Sequence, residues 1–145
     1  MAADTPDKLD LFVTACCEVM GALVGIEQAP EHPPEGMQDT PMVVTYFMTH
    51  DFRAAPWVVH RTHIDILLAR GDLPHDEAQA RKYVLRGGAA LAANINMKGT
   101  CSTLNIQRAD GPLPITYQGV RYFGVRFVLD VKIEHEDTLI FSFSS

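Results

Sequence analysis

Positive charge is scarce in this chain. Twelve Lys and Arg residues face eighteen Asp and Glu, which leaves a formal net charge of −6. A domain that grips nucleic acid through its phosphates needs a basic footprint, so tight duplex binding is not expected. Cysteine is scarce as well, with only Cys16, Cys17 and Cys101. An odd count with two neighbours in a helical stretch makes no disulfide framework and points to a reducing compartment. No apolar run approaches the roughly 20 residues of a membrane span, and the first apolar stretch is interrupted by Asp10 and Glu18. No membrane partner is expected. The N-terminus, Met-Ala-Ala-Asp-Thr-Pro-Asp, is acidic where a signal peptide would be basic, and the mature chain is expected to start where the sequence does. Internal repeats and low-complexity runs are missing too.

What remains is the composition of a soluble globular protein, with 47% hydrophobic and 21% charged residues. At 145 residues the chain is sized for one domain spanning 1–145. A helix is expected from residue 5 to 24. Thr5 can cap it, Pro6 suits the first helical position, and Asp7 meets the positive end of the dipole. Leu9, Phe12, Val13, Cys16, Met20, Leu23 and Val24 recur at three- and four-residue steps and share one face. Residues 27–41 hold four prolines and no Lys or Arg, which predicts an acidic loop inside the domain.

Two strands follow, at 42–50 and 57–69. Val44, Tyr46 and Met48 share one face of the first. In the second, Ile64, Ile66 and Leu68 oppose His63 and Asp65, and the pair reads as a long antiparallel hairpin. Gly71-Asp72-Leu73-Pro74 breaks the strand and opens a second helix to about residue 93, with Ala80, Val84, Gly87 or Gly88, and Leu91 inward. Adjacent glycines inside a helix cost about 1 kcal/mol each, which close approach to a sheet would justify. After a turn at 94–99 comes a short strand at 100–108, and residues 109–114 (Ala-Asp-Gly-Pro-Leu-Pro) read as another turn. In the strongest strand Phe123, Val125, Phe127, Leu129, Val131 and Ile133 alternate with a mostly polar set. Residues 138–145 form a final strand or a contact extension. The fold class is therefore α+β. An antiparallel or mixed sheet of four to five strands carries two helices on one face, in the order α-β-β-α-β-β with an optional last strand.

No Walker loop, dinucleotide fingerprint or nucleophile elbow is present. His60 and His63, three apart on a strand, point to opposite faces, while His50 and His60 could meet across the hairpin. His75-Asp76-Glu77 reads as compensation of a helix dipole. Cys101 would need a base to form a thiolate and reads as a small core or edge residue. No catalytic residue, cofactor or metal site is expected. Contact residues are better represented. Phe52 and Trp57 near the hairpin tip, and Tyr117 and Tyr122 near the last turn, serve either an interface or the core. Ile140, Phe141 and Phe143 lie in an uncharged, β-prone segment that must pair within the fold or be covered by a neighbour.

The order of elements and several stretches resemble the tail terminator proteins of long-tailed bacteriophages. These stretches are His63-Ile-Asp-Ile-Leu-Leu-Ala-Arg-Gly-Asp-Leu-Pro74, the alanine-rich helix with Tyr83-Val84, the turn at 94–99, and Tyr117-Gln-Gly-Val-Arg-Tyr-Phe-Gly-Val-Arg-Phe127 before a long final strand. The resemblance runs from Leu9 to Glu134; the 27–41 loop and the 139–145 segment depart from it. It implies a virion protein, assembled in the host bacterial cytoplasm, that forms a homohexameric ring at the head–tail junction. The ring would sit on the last ring of tail-tube protein, stop polymerisation, and offer a docking surface to a head-completion or connector protein. Duplex DNA would pass through without sequence-specific binding, and acidic groups reaching the lumen would repel its phosphates. The family has no catalytic residues to carry over. Another neck, connector or tail-completion subunit shares much of this pattern. A small ligand-binding protein or enzyme would instead show a pocket, around His50, His60 and Cys101.

Overall fold

The structure, a computed structural model, describes residues 7–27, 29–30, 40–70 and 77–135. The order is α1 (Lys8–Gly21), β1 (Met42–Asp51), β2 (Trp57–Arg70), α2 (Glu77–Ala93), β3 (Thr103–Tyr117) and β4 (Val120–Glu134). The four described strands form one antiparallel sheet in the spatial order β1-β2-β4-β3. The α+β class and the order α-β-β-α-β-β agree with the sequence reading. A fifth strand would fall in residues 138–145, outside the described residues.

The first helix is capped later than the sequence suggests. Asp7 is the N-cap: its carboxylate accepts from the Asp10 backbone N–H at 2.8 Å, and the Asp10 carboxylate accepts from the Asp7 N–H. This reciprocal pair satisfies two amide donors that would otherwise be orphaned, so Asp7 and Asp10 complete the cap between them. Phe12, Ala15, Cys16 and Met20 fall on one face and are buried against the sheet. Each large apolar side chain buried this way contributes about 1.5–3 kcal/mol. Of the 27–41 loop, the two ends are joined, since the Glu27 N–H donates to the Pro41 carbonyl at 2.8 Å.

The second helix lays Ala80, Tyr83, Gly87 and Leu91 on the same sheet face. Gly87 is required there. A Cβ on it would lie 2.6 Å from Cζ of Phe127, whereas one on Gly88 would lie 3.9 Å from the same ring. Ile64, Ile66 and Leu68 of β2 and the odd residues 123–133 of β4 complete this core.

Two features of the sheet differ from the sequence reading. The first is β3, which runs through residues 109–114 instead of turning there. Its pairing with β4 slips between Ile106 and Arg108 and again between Asp110 and Leu113. These bulges absorb the Gly-Pro-Leu-Pro stretch, and an edge strand tolerates prolines because its outer N–H positions need no partner. The turn falls at Gln118-Gly119 instead, where φ is 53° and 75°, the left-handed pair a tight two-residue hairpin requires.

The second difference is the face away from the helices, which is not uniformly wet. Met42, Val44, Leu67, Ile115 and Tyr122 are buried there as a second apolar cluster, flanked by Tyr46, Leu113, Tyr117 and Val120. Val44 and Tyr46 thus belong to this face, while Val43 and Phe47 pack with the helices.

Candidate functional site

The hairpin end of the sheet gathers the residues with most to offer. The β1–β2 loop turns through Phe52 to Pro56 with backbone bonds from Ala55 N to Phe52 O and from Trp57 N to Ala54 O, both 3.0 Å. Asp51 braces it, accepting from the Arg53 amide at 2.9 Å and from the Arg53 guanidinium. This pairing holds the Asp51 carboxyl below its ordinary range. On this fixed loop Phe52 is 55% exposed. Met48 of β1, where the β1–β2 pairing slips between Phe47 and Thr49, also faces solvent.

Beneath the loop three imidazoles stand in a row. His50 and His60 are direct partners across β1 and β2, and their Nδ1 atoms are 2.6 Å apart. On its other side, His60 Nε2 lies 2.9 Å from Nε2 of His135. The His135 N–H donates to the Pro56 carbonyl at 2.8 Å, which ties the end of β4 to the loop. His60 is buried, and the Phe47 ring walls it edge-on at 5.8 Å. Burial, with the neighbouring His135 and His50, lowers its pKa to about 4. His135 is lowered as well, by burial and then by Lys8. The two nitrogens of His60 address different neighbours, so the three rings offer no common point to one ion. Among the described residues no group of three or more His, Cys, Asp or Glu could hold a metal.

Beside the row an open groove of about 600 Å³ runs between the start of α1 and the 98–102 turn, with Leu11, Trp57, Cys101 and Ile133 in its walls. Trp57 is half-buried, with Lys132 Nζ 5.1 Å above its ring. Cys101 does not resemble a nucleophile: burial pushes its thiol up to about 11, and the thiol donates to the Ile95 carbonyl at 3.6 Å.

Across β2 from the histidine row, on the sheet face away from the helices, lies a second polar cluster. Arg126 forks onto Asp65, Tyr46 donates to the same carboxylate at 2.6 Å, and His63 Nδ1 approaches Tyr46 Oη at 3.4 Å. His60 and His63 therefore do point to opposite faces.

The candidate contact residues are not one surface. Phe52 and Trp57 stand together at the hairpin end. Tyr117 is half-buried near the β3–β4 turn, and Tyr122 is fully buried in the second apolar cluster. Tyr122 therefore presents nothing to a neighbouring chain, because it points away from Phe123 onto a face already packed by Ile115 and Leu67. Ile140, Phe141 and Phe143 lie outside the described residues. Sequence reasoning missed His135 as a partner of His60, since it falls just past the end of β4. No protein-family model matches this chain, and no curated protein matches its sequence.

Proposed function

We propose that this chain is a structural subunit of a phage tail, a terminator that assembles as a homohexameric ring on the head-proximal end of the tail tube. The reading rests on the resemblance of its motifs together with the fold order. The observation that carries it furthest is Phe52, a large apolar side chain exposed on a loop that Asp51 and Arg53 hold in place. Leu85, 74% exposed, stands on a different element, α2. A closed ring needs two different patches that mate head to tail, and these residues supply one apolar anchor to each.

The mechanism is geometric. A tube subunit adds because the exposed end of the tube matches the next ring. A terminator copies one mating face and presents a different one opposite, so addition stops and the filled head has a surface to dock on. With −6 per copy, a ring would tend to repel DNA phosphates rather than retain them.

Light scattering over a concentration series, with negative-stain images of the same samples, tests this reading. Six-fold rings, alone or on added tail tubes, support it, and Phe52→Ala is expected to weaken ring or tube contacts while leaving melting cooperative. A chain that stays monomeric alone and with tubes, and retains a small molecule in the Leu11–Trp57 groove, overturns it in favour of a ligand-binding protein.

A further inference from the structure

A row of three imidazoles can hold only a limited number of protons. A neutral imidazole has one N–H donor and one lone pair. His60, in the middle, therefore donates to one neighbour and accepts from the other across its 2.6 Å and 2.9 Å contacts. One extra proton fits this arrangement. The charged end ring donates to His60, and His60 donates onward to the far ring, so every N–H points the same way along the row.

A second extra proton does not fit. If both end rings are charged, two N–H groups face His60, which has a single lone pair. If His60 and one end ring are charged, N–H faces N–H at their contact. In either case one contact must open. We propose that the His50–His60–His135 row is a proton-counting latch. Neutral or singly charged, it joins the ends of β1, β2 and β4 at the root of the β1–β2 loop; a second extra proton opens that junction and loosens the loop and the Phe52 it carries.

The surroundings favour low occupancy. Phe47 covers His60 from β1, and Val131 stands opposite it on β4. From the start of α1, Lys8 opposes a proton on His135 and Asp7 favours one, with Lys8 the stronger influence. Lys8 also donates to the Glu134 carbonyl, next to His135, so the α1 terminus is part of the same junction. The latch operates inside one copy of the chain and does not depend on ring formation.

The test follows the histidine side chains by NMR and the backbone by hydrogen exchange, on the full chain, from about pH 8 to about pH 4.5. Exchange rates are corrected for their intrinsic pH dependence. In the wild type, protection over residues 50–58 is expected to fall on the order of tenfold as the second proton binds, while residues 62–67 stay protected. His60→Phe and His135→Gln should each abolish that fall. Should His60→Phe fail to fold, His135→Gln at the strand end decides alone. Flat protection at 50–58 in the wild type overturns the latch, and so does a fall that persists in a folded variant.

Discussion

The Asp65 carboxylate takes both prongs of the Arg126 guanidinium, from Nε at 2.9 Å and from Nη2 at 3.0 Å. The two residues are direct partners across β2 and β4. Tyr46 reaches the same carboxylate from β1, so one buried anion links three strands on the face the helices leave uncovered. Burial and the Asp65 charge push the Tyr46 hydroxyl well above its ordinary range, which keeps it a donor.

Removing only the anion should therefore be expensive. Asp65 is buried and Arg126 about a quarter exposed, so Asp65→Ala leaves a cation with little water and is expected to cost about 3 kcal/mol. Asp65→Leu combined with Arg126→Met should cost distinctly less, because no unpaired charge remains. Urea unfolding of the three proteins checks the order; equal losses in the single and double variants would show that packing, not charge, sets the cost.

Gly87 and Gly88 make a matched pair. Alanine is the better helix former by about 1 kcal/mol at either position. At Gly87 the new methyl collides with Phe127, whereas at Gly88 it makes ordinary contact. Gly88→Ala should leave thermal stability unchanged or raise it slightly, and Gly87→Ala should lower it by about 1–3 kcal/mol. Calorimetry of both variants separates helix propensity from close approach.

Acid should weaken the fold through His60. Its pKa is about 4 in the folded chain, against roughly 6.5 when unfolded. Between these values the unfolded chain binds more protons. The stabilisation is thus complete above about pH 6.5 and is lost as pH falls toward about 4, a span of about 3 kcal/mol. The lowered His135 acts in the same direction. Urea midpoints across this range measure the slope, which His60→Phe should flatten.

The thiols should be silent in the native protein. Cys16, Cys17 and Cys101 are buried and form no disulfide. Burial raises Cys16 well above the ordinary thiol range and Cys101 to about 11. A chromogenic disulfide reagent near pH 8 is expected to label native protein only at the rate of unfolding and to count three thiols in denaturant. Fast labelling of one thiol without denaturant would contradict this.

Much of the fold was legible because it depends on local periodicity. The alternation of Phe123 to Ile133 identifies a strand and its buried face without any partner, and the Phe12–Cys16–Met20 spacing does the same for α1. The course of β3 was not legible. Gly111, Pro112 and Pro114 have a local preference for turning, and only pairing with β4 keeps the strand going through two bulges. Gln118 also lacks the usual Asn or Asp of a two-residue hairpin turn, so the true corner is poorly marked. The buried cluster around Leu67 and Tyr122 was missed because alternation shows which residues share a face, not whether that face is covered. The histidine row needed the β1–β2 register and the position of His135, both tertiary facts.

The strand order has a consequence for how the chain folds as it is made. Among the described strands β4 is the last to be synthesised, yet it lies between β2 and β3 and supplies a partner to each. Until β4 begins to leave the ribosome, the described strands can pair only as the β1–β2 hairpin, and an isolated hairpin is marginal in water. The β2–β4 seam, running from Trp57–Glu134 to Arg70–Tyr122, then closes across the whole of α2 and β3, the kind of non-local pairing that slows folding. Ile64 and Ile66 therefore remain open to chaperones, or to other nascent chains, for most of translation. A stop codon just before Val120 would yield an aggregation-prone fragment rather than a smaller domain.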